Sequence, residues 1–119
     1  MKTLALTLAL FITMPAMAAA FDRITDRDTF LALIADKSIS NRLYGVKLIV
    51  ADSGEINGAA WGWDITGTWD WRDGYFCRQL YWGGDDIGYN CQMVSARSGD
   101  EMRFTSDMGA GDSASFKLR

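Results

Sequence analysis

Histidine is absent from the chain, and proline occurs once, at Pro15. The first absence removes the commonest general base and the commonest transition-metal ligand. Carboxylate chemistry survives it, but an enzyme becomes the less favoured class. The second leaves every strand-like segment after residue 15 free of a ladder-breaking ring. Cysteine is scarce, with only Cys77 and Cys91. A basic run is lacking too, and acidic residues outnumber basic ones by 15 to 12. Phosphate neutralisation dominates nucleic-acid affinity, so nucleic acid is excluded as a partner. No apolar run is long enough to span a bilayer comfortably.

What is present begins with MKTLALTLALFITMPAMAAAFDR. Lys2 supplies a positive start, Leu4 to Met14 a short apolar run, and Pro15 a break before small residues. Ala16-Met17-Ala18 and Ala18-Ala19-Ala20 both fit the small-residue cleavage rule, so the expected cut follows Ala18 or Ala20. Residues 1–20 therefore read as an export leader, and residues 21–119 as a single β-rich domain. No cysteine follows the apolar run, so a lipid anchor is not expected, nor any membrane anchor after leader removal. Without Lys2 the domain carries 11 basic and 15 acidic residues. The expected location is periplasmic or secreted. In that oxidising setting an isolated cysteine pair is most often a disulfide.

One short helix is expected early. Thr25, Asp26 and Asp28 offer N-cap chemistry, and Phe30, Leu31, Leu33 and Ile34 make a narrow apolar stripe. Asp36-Lys37-Ser38 marks its end. Seven strands follow, near 43–51, 55–61, 65–72, 75–82, 86–97, 101–106 and 113–118, separated by Gly-, Asp- and Ser-rich turns. Short connections favour antiparallel neighbours. The expected fold is α+β, mainly β: a short N-terminal helix and an antiparallel meander of about seven strands, curled or barrel-like.

Asp73-Gly74 is the strongest hairpin signal, because a type I′ turn needs positive φ at both central residues. It sets Arg72 opposite Tyr75, Trp71 opposite Phe76 and Trp69 opposite Arg78. Taking Gly83-Gly84-Asp85 as a three-residue loop, with Trp82 facing Asp86, brings Cys77 opposite Cys91. Turn register and cysteine position thus agree on a cross-strand disulfide. Continuing through Ser98-Gly99-Asp100 pairs Val94 with Phe104 and Ala96 with Met102. One face collects Ile65, Trp69, Trp71, Phe76, Leu80, Trp82, Val94, Met102 and Phe104, joined by Phe116 and Leu118. It is the expected core. Arg78 is the misfit on that face, either stacked on Trp69 at the sheet margin or anchoring an acidic ligand. The other face carries Tyr75, Tyr81, Ile87, Tyr89 and Met93. With the hairpin-tip acids, Tyr81, Asp85, Asp86, Ile87 and Tyr89 form the candidate binding surface, unless the helix stripe covers the tyrosines.

Three motifs resemble chemical sites. Gly83-Gly84-Asp85-Asp86 with Asn90 offers oxygens to calcium, but paired Asp in a tight turn are usually solvated turn formers. Asp52-Ser53-Gly54-Glu55-Ile56-Asn57-Gly58 fails the calcium-loop pattern at its third and fifth positions. Gly109-Ala110-Gly111-Asp112-Ser113-Ala114 matches G-x-G-x-x-[G/A], yet only five residues follow Ala114, too few for the helix and second strand a dinucleotide site requires. No cofactor and no metal are expected.

The pattern GTWDWRDGYFCR, GGDDIGYNCQ and RFTSDMGAGDSASFKLR resembles a group of small exported alphaproteobacterial proteins, found especially in marine relatives of Rhodobacter. The likeness covers most of the mature chain. Members are generally without assigned activity, and some carry the label dihydrodipicolinate reductase. The resemblance thereby implies that activity, with NAD(P)H as cofactor. The residues argue against it, since that class resembles a longer, cytoplasmic, two-domain Rossmann protein. The expected function is an exported, non-catalytic binding or inhibitor-like module. Its partner would be a protein or small-molecule ligand in the periplasm. The alternative is an enzyme, either that reductase or a hydrolase using paired Asp, and the third reading is a purely structural envelope protein.

Overall fold

The computed structural model describes residues 2–15 and 19–119. The Ala16-Met17-Ala18 motif lies outside the described residues. Residues 2–15 form neither helix nor strand, and their apolar side chains stand in solvent, Leu4 and Phe11 being 87% and 90% exposed. Among the described residues no helix is long and apolar enough to cross a membrane.

The elements run β1 (Asp22–Ile24), α1 (Arg27–Ile34), β2 (Ile39–Asn41), β3 (Val46–Val50), β4 (Glu55–Ala60), β5 (Trp63–Arg72), β6 (Tyr75–Trp82), β7 (Asp85–Arg97), β8 (Glu101–Thr105) and β9 (Ser113–Leu118). Every pairing is antiparallel. Strands β2 to β9 close into an eight-stranded barrel, because β9 pairs with β2 and β8 pairs back to β7. Closure removes the exposed edges an open meander would carry. β1 is an outer strand on β7, opposite Val94 to Ala96.

Two strands escaped the sequence reading. β1 and β2 are three residues each, too short to show a period of two. β2 is cut from β3 by the turn at Arg42–Gly45. There the Tyr44 amide donates to Asn41 Oδ1, and Gly45 takes a positive φ of 57°. The first hairpin of the aromatic stretch is also displaced. Trp61 and Gly62, both at positive φ, form a two-residue turn, so β5 starts at Trp63.

Helix α1 begins where expected. Asp26 is its N-cap, and its carboxylate accepts from the Thr29 amide at 2.9 Å. That bond, followed by the Thr29 hydroxyl, holds the Asp26 carboxyl below its ordinary range. Two turns of helix are marginal alone. This one is held by Phe30, fully buried, with ring centroids 5.4, 5.2 and 5.3 Å from Trp69, Trp71 and Phe76. The stripe therefore seals one end of the barrel and leaves Tyr81 and Tyr89 of the outer face exposed.

The sequence-derived registers hold at Trp71–Phe76, Trp69–Arg78, Val94–Phe104, Ala96–Met102 and Cys77–Cys91. Asp73 and Gly74 both take positive φ. The disulfide Cys77–Cys91 is formed. The turn that led to it differs. Gly83-Gly84 is a two-residue loop, and Trp82 faces Asp85 rather than Asp86. A bulge then restores the count, since between the pairs Gln79–Tyr89 and Tyr81–Asp86 one residue of β6, Leu80, opposes two of β7, Ile87 and Gly88. Gly88, at φ +93°, supplies the backbone freedom the bulge needs. Asp86 Oδ1 braces it by accepting from the Gly88 amide at 2.8 Å. Two one-residue differences cancel, so the cysteines still meet.

Most of the expected core face lies inside the barrel. Ile65, Trp69, Phe76, Val94, Met102, Phe104 and Leu118 are buried, and Trp71, Leu80 and Phe116 pack beside them. Position 67 shares that face by alternation, and it is glycine because a Cβ there would collide with the Gln79 carbonyl of the neighbouring strand. Trp82 is the correction, being 38% exposed. It keeps the inward parity of Leu80, but it stands at the Gly83-Gly84 tip of the β6–β7 hairpin, which overshoots the barrel rim and meets no opposing wall. Its indole N–H instead donates to the Ala60 carbonyl at 2.9 Å.

At the barrel seam Glu101 binds Lys117 and Arg97, at 2.5 and 2.6 Å. Lys117 first, then Arg97, holds its carboxyl below the ordinary value. A depressed folded value gives stabilisation that is complete above the unfolded carboxylate range, about pH 4–5, and fades as pH falls through the folded value. Glu101→Gln should therefore lower stability at neutral pH and flatten the acid limb of the stability curve. Urea midpoints measured from pH 7 down to pH 3 check this, and parallel curves for the two proteins would contradict it.

Candidate functional site

Alternation along β6 sends Phe76, Arg78 and Leu80 into the barrel. Phe76 reaches the plugged end. Arg78, two residues on, lies above that core, where the interior is not filled by side chains. A cavity of about 420 Å3 remains there. Its apolar wall comes from β2, β3 and β4, through Ile39, Leu48, Val50 and Ile56. Its polar wall comes from β6, β7 and the chain joining β8 to β9, through Arg78, Gln92, Ser106 and Asp112. Exposed Tyr44 and Asp112 mark the solvent end, opposite the helix.

Arg78 is half-buried and donates from Nη1 to the Gly88 carbonyl at 2.8 Å. The bulge that restores the cysteine register thus also aims a carbonyl at the guanidinium and fixes its direction. Among the described residues Arg78 makes no salt bridge. Desolvation lowers its pKa from the ordinary arginine value. The cation stacked on Trp69 is a different residue. Arg27 sits 5.2 Å from that ring, in the place that one of the two readings of Arg78 gave to Arg78.

The candidate binding surface lies on the outside of the same hairpin. Tyr81, Ile87 and Tyr89 are 38%, 48% and 55% exposed, and Asp85 and Asp86 stand in solvent beside them. Beneath them the fully buried Cys77 is bonded to Cys91. Because α1 packs elsewhere, Tyr81→Ala and Tyr89→Ala should each change stability by less than about 1 kcal/mol, the scale of a surface substitution. Urea denaturation checks this, and a loss of several times that size would place the rings in a core.

Of the two tip acids, Asp86 is committed to structure. Asp86 Oδ1 accepts from Gln79 Nε2 and from the Gly88 amide, and Asn90 pairs with Asp107. Among the described residues no group of three or more acidic, histidine or cysteine side chains could hold a metal ion. Gly109-Ala110-Gly111 lies in the turn region between β8 and β9, with an antiparallel strand after it instead of a helix.

Sequence reasoning missed two features. The first is the cavity, whose walls come from strands far apart in the chain. The second is an aromatic notch where the overshooting hairpin leaves Trp63, Trp82, Gly83 and Asp85 around about 290 Å3. Trp63 in its lining is 61% exposed, and Trp61, two residues before it, is 65% exposed, so this pair of tryptophans is surface and not core. A larger depression of about 800 Å3 lies outside the barrel, beneath α1, but its lining charges, Asp36, Lys37, Lys47, Asp52 and Arg119, are all solvent-exposed and of mixed sign.

No protein-family model matches the chain, and neither a curated protein nor a solved structure shows significant similarity to it.

Proposed function

We propose that the chain is an exported, non-catalytic binding module whose ligand sits inside the barrel against Arg78. One observation carries this reading. An eight-stranded barrel can be filled by its own side chains or leave room for one small ligand. Here an apolar interior cavity remains, and a fixed guanidinium without a carboxylate partner among the described residues lines it. Small-molecule sites are of this type, mostly apolar and concave with a few placed polar groups.

Export is supported by the leader-like start, whose apolar side chains contribute nothing to the core, and by the disulfide, which is consistent with a periplasmic or extracellular location. The resemblance to small exported alphaproteobacterial proteins points the same way and rests on the sequence pattern alone. The reductase alternative needs a strand–loop–helix phosphate cradle. The antiparallel setting of Gly109 offers no such cradle. Asp26 and Glu101, the carboxyls whose acidity is clearly displaced, are occupied by a helix cap and an ion-pair seam.

Native mass spectrometry of protein released gently from the periplasm tests the reading. The expected spectrum contains a non-covalent small-molecule adduct, at one per chain, that disappears on acid denaturation. Bare mature mass in every preparation would count against an interior ligand. A second reading is favoured by the exposed Tyr81, Ile87 and Tyr89 on a disulfide-braced hairpin, namely docking of a protein partner or target there. Tyrosine offers contact area at low entropy cost. In that case Tyr89→Ala would weaken partner capture while the interior adduct persisted.

A further inference from the structure

Resting on the interior-site reading above, we infer that the ligand is an amphipathic monocarboxylate. Its carboxylate pairs with Arg78, and its aliphatic or aromatic body lies along the β2–β3–β4 wall. The distribution of chemistry around the cavity points to this class. Ile39, Leu48, Val50 and Ile56 offer no hydrogen-bonding side chain, so the group lying on them is apolar. The charged and amide side chains, Arg78, Gln92 and Asp112, come from the other side of the barrel, among Phe76, Leu80 and Phe104, and Arg78 is the one cation among the lining residues.

One guanidinium N–H is engaged by the Gly88 carbonyl. The rest of the planar fork is left to a planar acceptor, and a carboxylate matches it with two parallel hydrogen bonds. The guanidinium is already partly stripped of water and already oriented, which reduces the ordering and desolvation still required when an anion arrives. Gln92 can add a donor from β7. Asp112, exposed at the solvent end, disfavours a second negative charge on the outer part of the ligand and so argues against dianions.

Size follows from the volume. At about 30 Å3 per atom-sized share, the figure for a molecule of liquid water, a cavity of about 420 Å3 takes roughly a dozen non-hydrogen atoms. This corresponds to a carboxylate with a body of about eight to ten carbons.

The test uses the mature protein stripped of bound apolar material and titrated calorimetrically with decanoate, 1-decanol and decylammonium. Arg78→Met, Arg78→Lys and Ala114→Leu are titrated beside it. Ala114, on β9, lines the cavity, and its enlargement fills space while leaving the Arg78 side chain in place. Decanoate should bind once per chain, about 10- to 100-fold tighter than decanol, the range expected of a charge-assisted hydrogen-bonded pair. Decylammonium should bind worst. Arg78→Met should bind acid and alcohol equally, Arg78→Lys should keep part of the preference, and Ala114→Leu should weaken both. If Arg78→Met does not fold, the wild-type ligand series and Arg78→Lys decide. Equal or better binding of decanol or decylammonium, still sensitive to Ala114→Leu, overturns the carboxylate and leaves the interior site standing. Absence of binding by every probe, or binding indifferent to Ala114→Leu, overturns the interior site itself.

Discussion

Phe30→Ala should lower the unfolding free energy by about 3–5 kcal/mol, the usual cost of deleting a fully buried aromatic ring. The ring is completely buried. It fills the well formed by Trp69, Trp71 and Phe76, with an edge-to-face contact to Trp69. Three consequences of its loss act together. The transfer energy of the ring is forfeited. A void opens between side chains fixed on β5 and β6, whose strand pairing limits collapse. Helix α1 also loses its principal attachment, because its N-cap at Asp26 cannot hold two turns in water alone. Leu33→Ala, on the same helix but only partly buried, should cost distinctly less. Urea denaturation of the two variants measures the difference. If Phe30→Ala costs under about 1 kcal/mol, the helix is not the plug described here. The same variant should speed proton exchange at the Thr29 and Phe30 amides, since the cap and first turn would fray.

Much of this architecture was legible because sheets obey a period of two and tight hairpins obey turn chemistry. Asp73-Gly74 fixed one register through the need for positive φ, and the cysteines confirmed the next. The helix announced itself through Asp26 and Phe30. What stayed hidden was non-local. β1 and β2 exist because β7 and β3 present ladder partners, and three residues carry no periodicity of their own. Barrel closure depends on β9 meeting β2 across most of the chain, through pairs such as Ile39–Leu118. Alternation assigned Trp82 to the core because parity knows nothing of where a barrel ends. Trp63 and Trp82 point the inward way, but beyond the rim there is no inside.

The candidate site was legible in the same uneven way. Arg78 stood out as a charge on an apolar face, and that signal led to the cavity wall. The cavity itself could not be read, because its volume is set by how far β6 and β7 stand from β2, β3 and β4. The bulge at Gly88 escaped notice for a related reason. A two-residue turn plus a bulge and a three-residue loop without one predict the same cysteine pairing. Only the path between them differs, and with it the carbonyl that orients Arg78.

Removing the bridge with Cys77→Ala/Cys91→Ala should cost about 3 kcal/mol, the chain-entropy value for a closed loop of about 15 residues. The loop it closes contains the Gly83-Gly84 turn and the Gly88 bulge. Glycine-rich strands specify register weakly, because little side-chain surface penalises a slip. The bridge removes that freedom from the unfolded chain and holds β6 against β7 at one matched pair. The double variant should remain cooperatively folded, since the plug and most of the core lie on the other side of the cysteines from the turn. Its urea midpoint should fall, and amide exchange should accelerate first between Gln79 and Tyr89. Wild-type protein with reductant should follow the same curve as the variant, whereas intact-mass alkylation without reductant should find no free thiols. A loss below about 1 kcal/mol would mean that the hairpin holds its register without the bridge, with the Arg78–Gly88 contact and the Asp86 brace then sufficient. A loss well above about 5 kcal/mol would mean that the bridge also supports the packing of the barrel wall around the buried Cys77. In that event Arg78 would lose its orientation along with the strand, and decanoate binding would fall together with stability instead of surviving in the folded fraction.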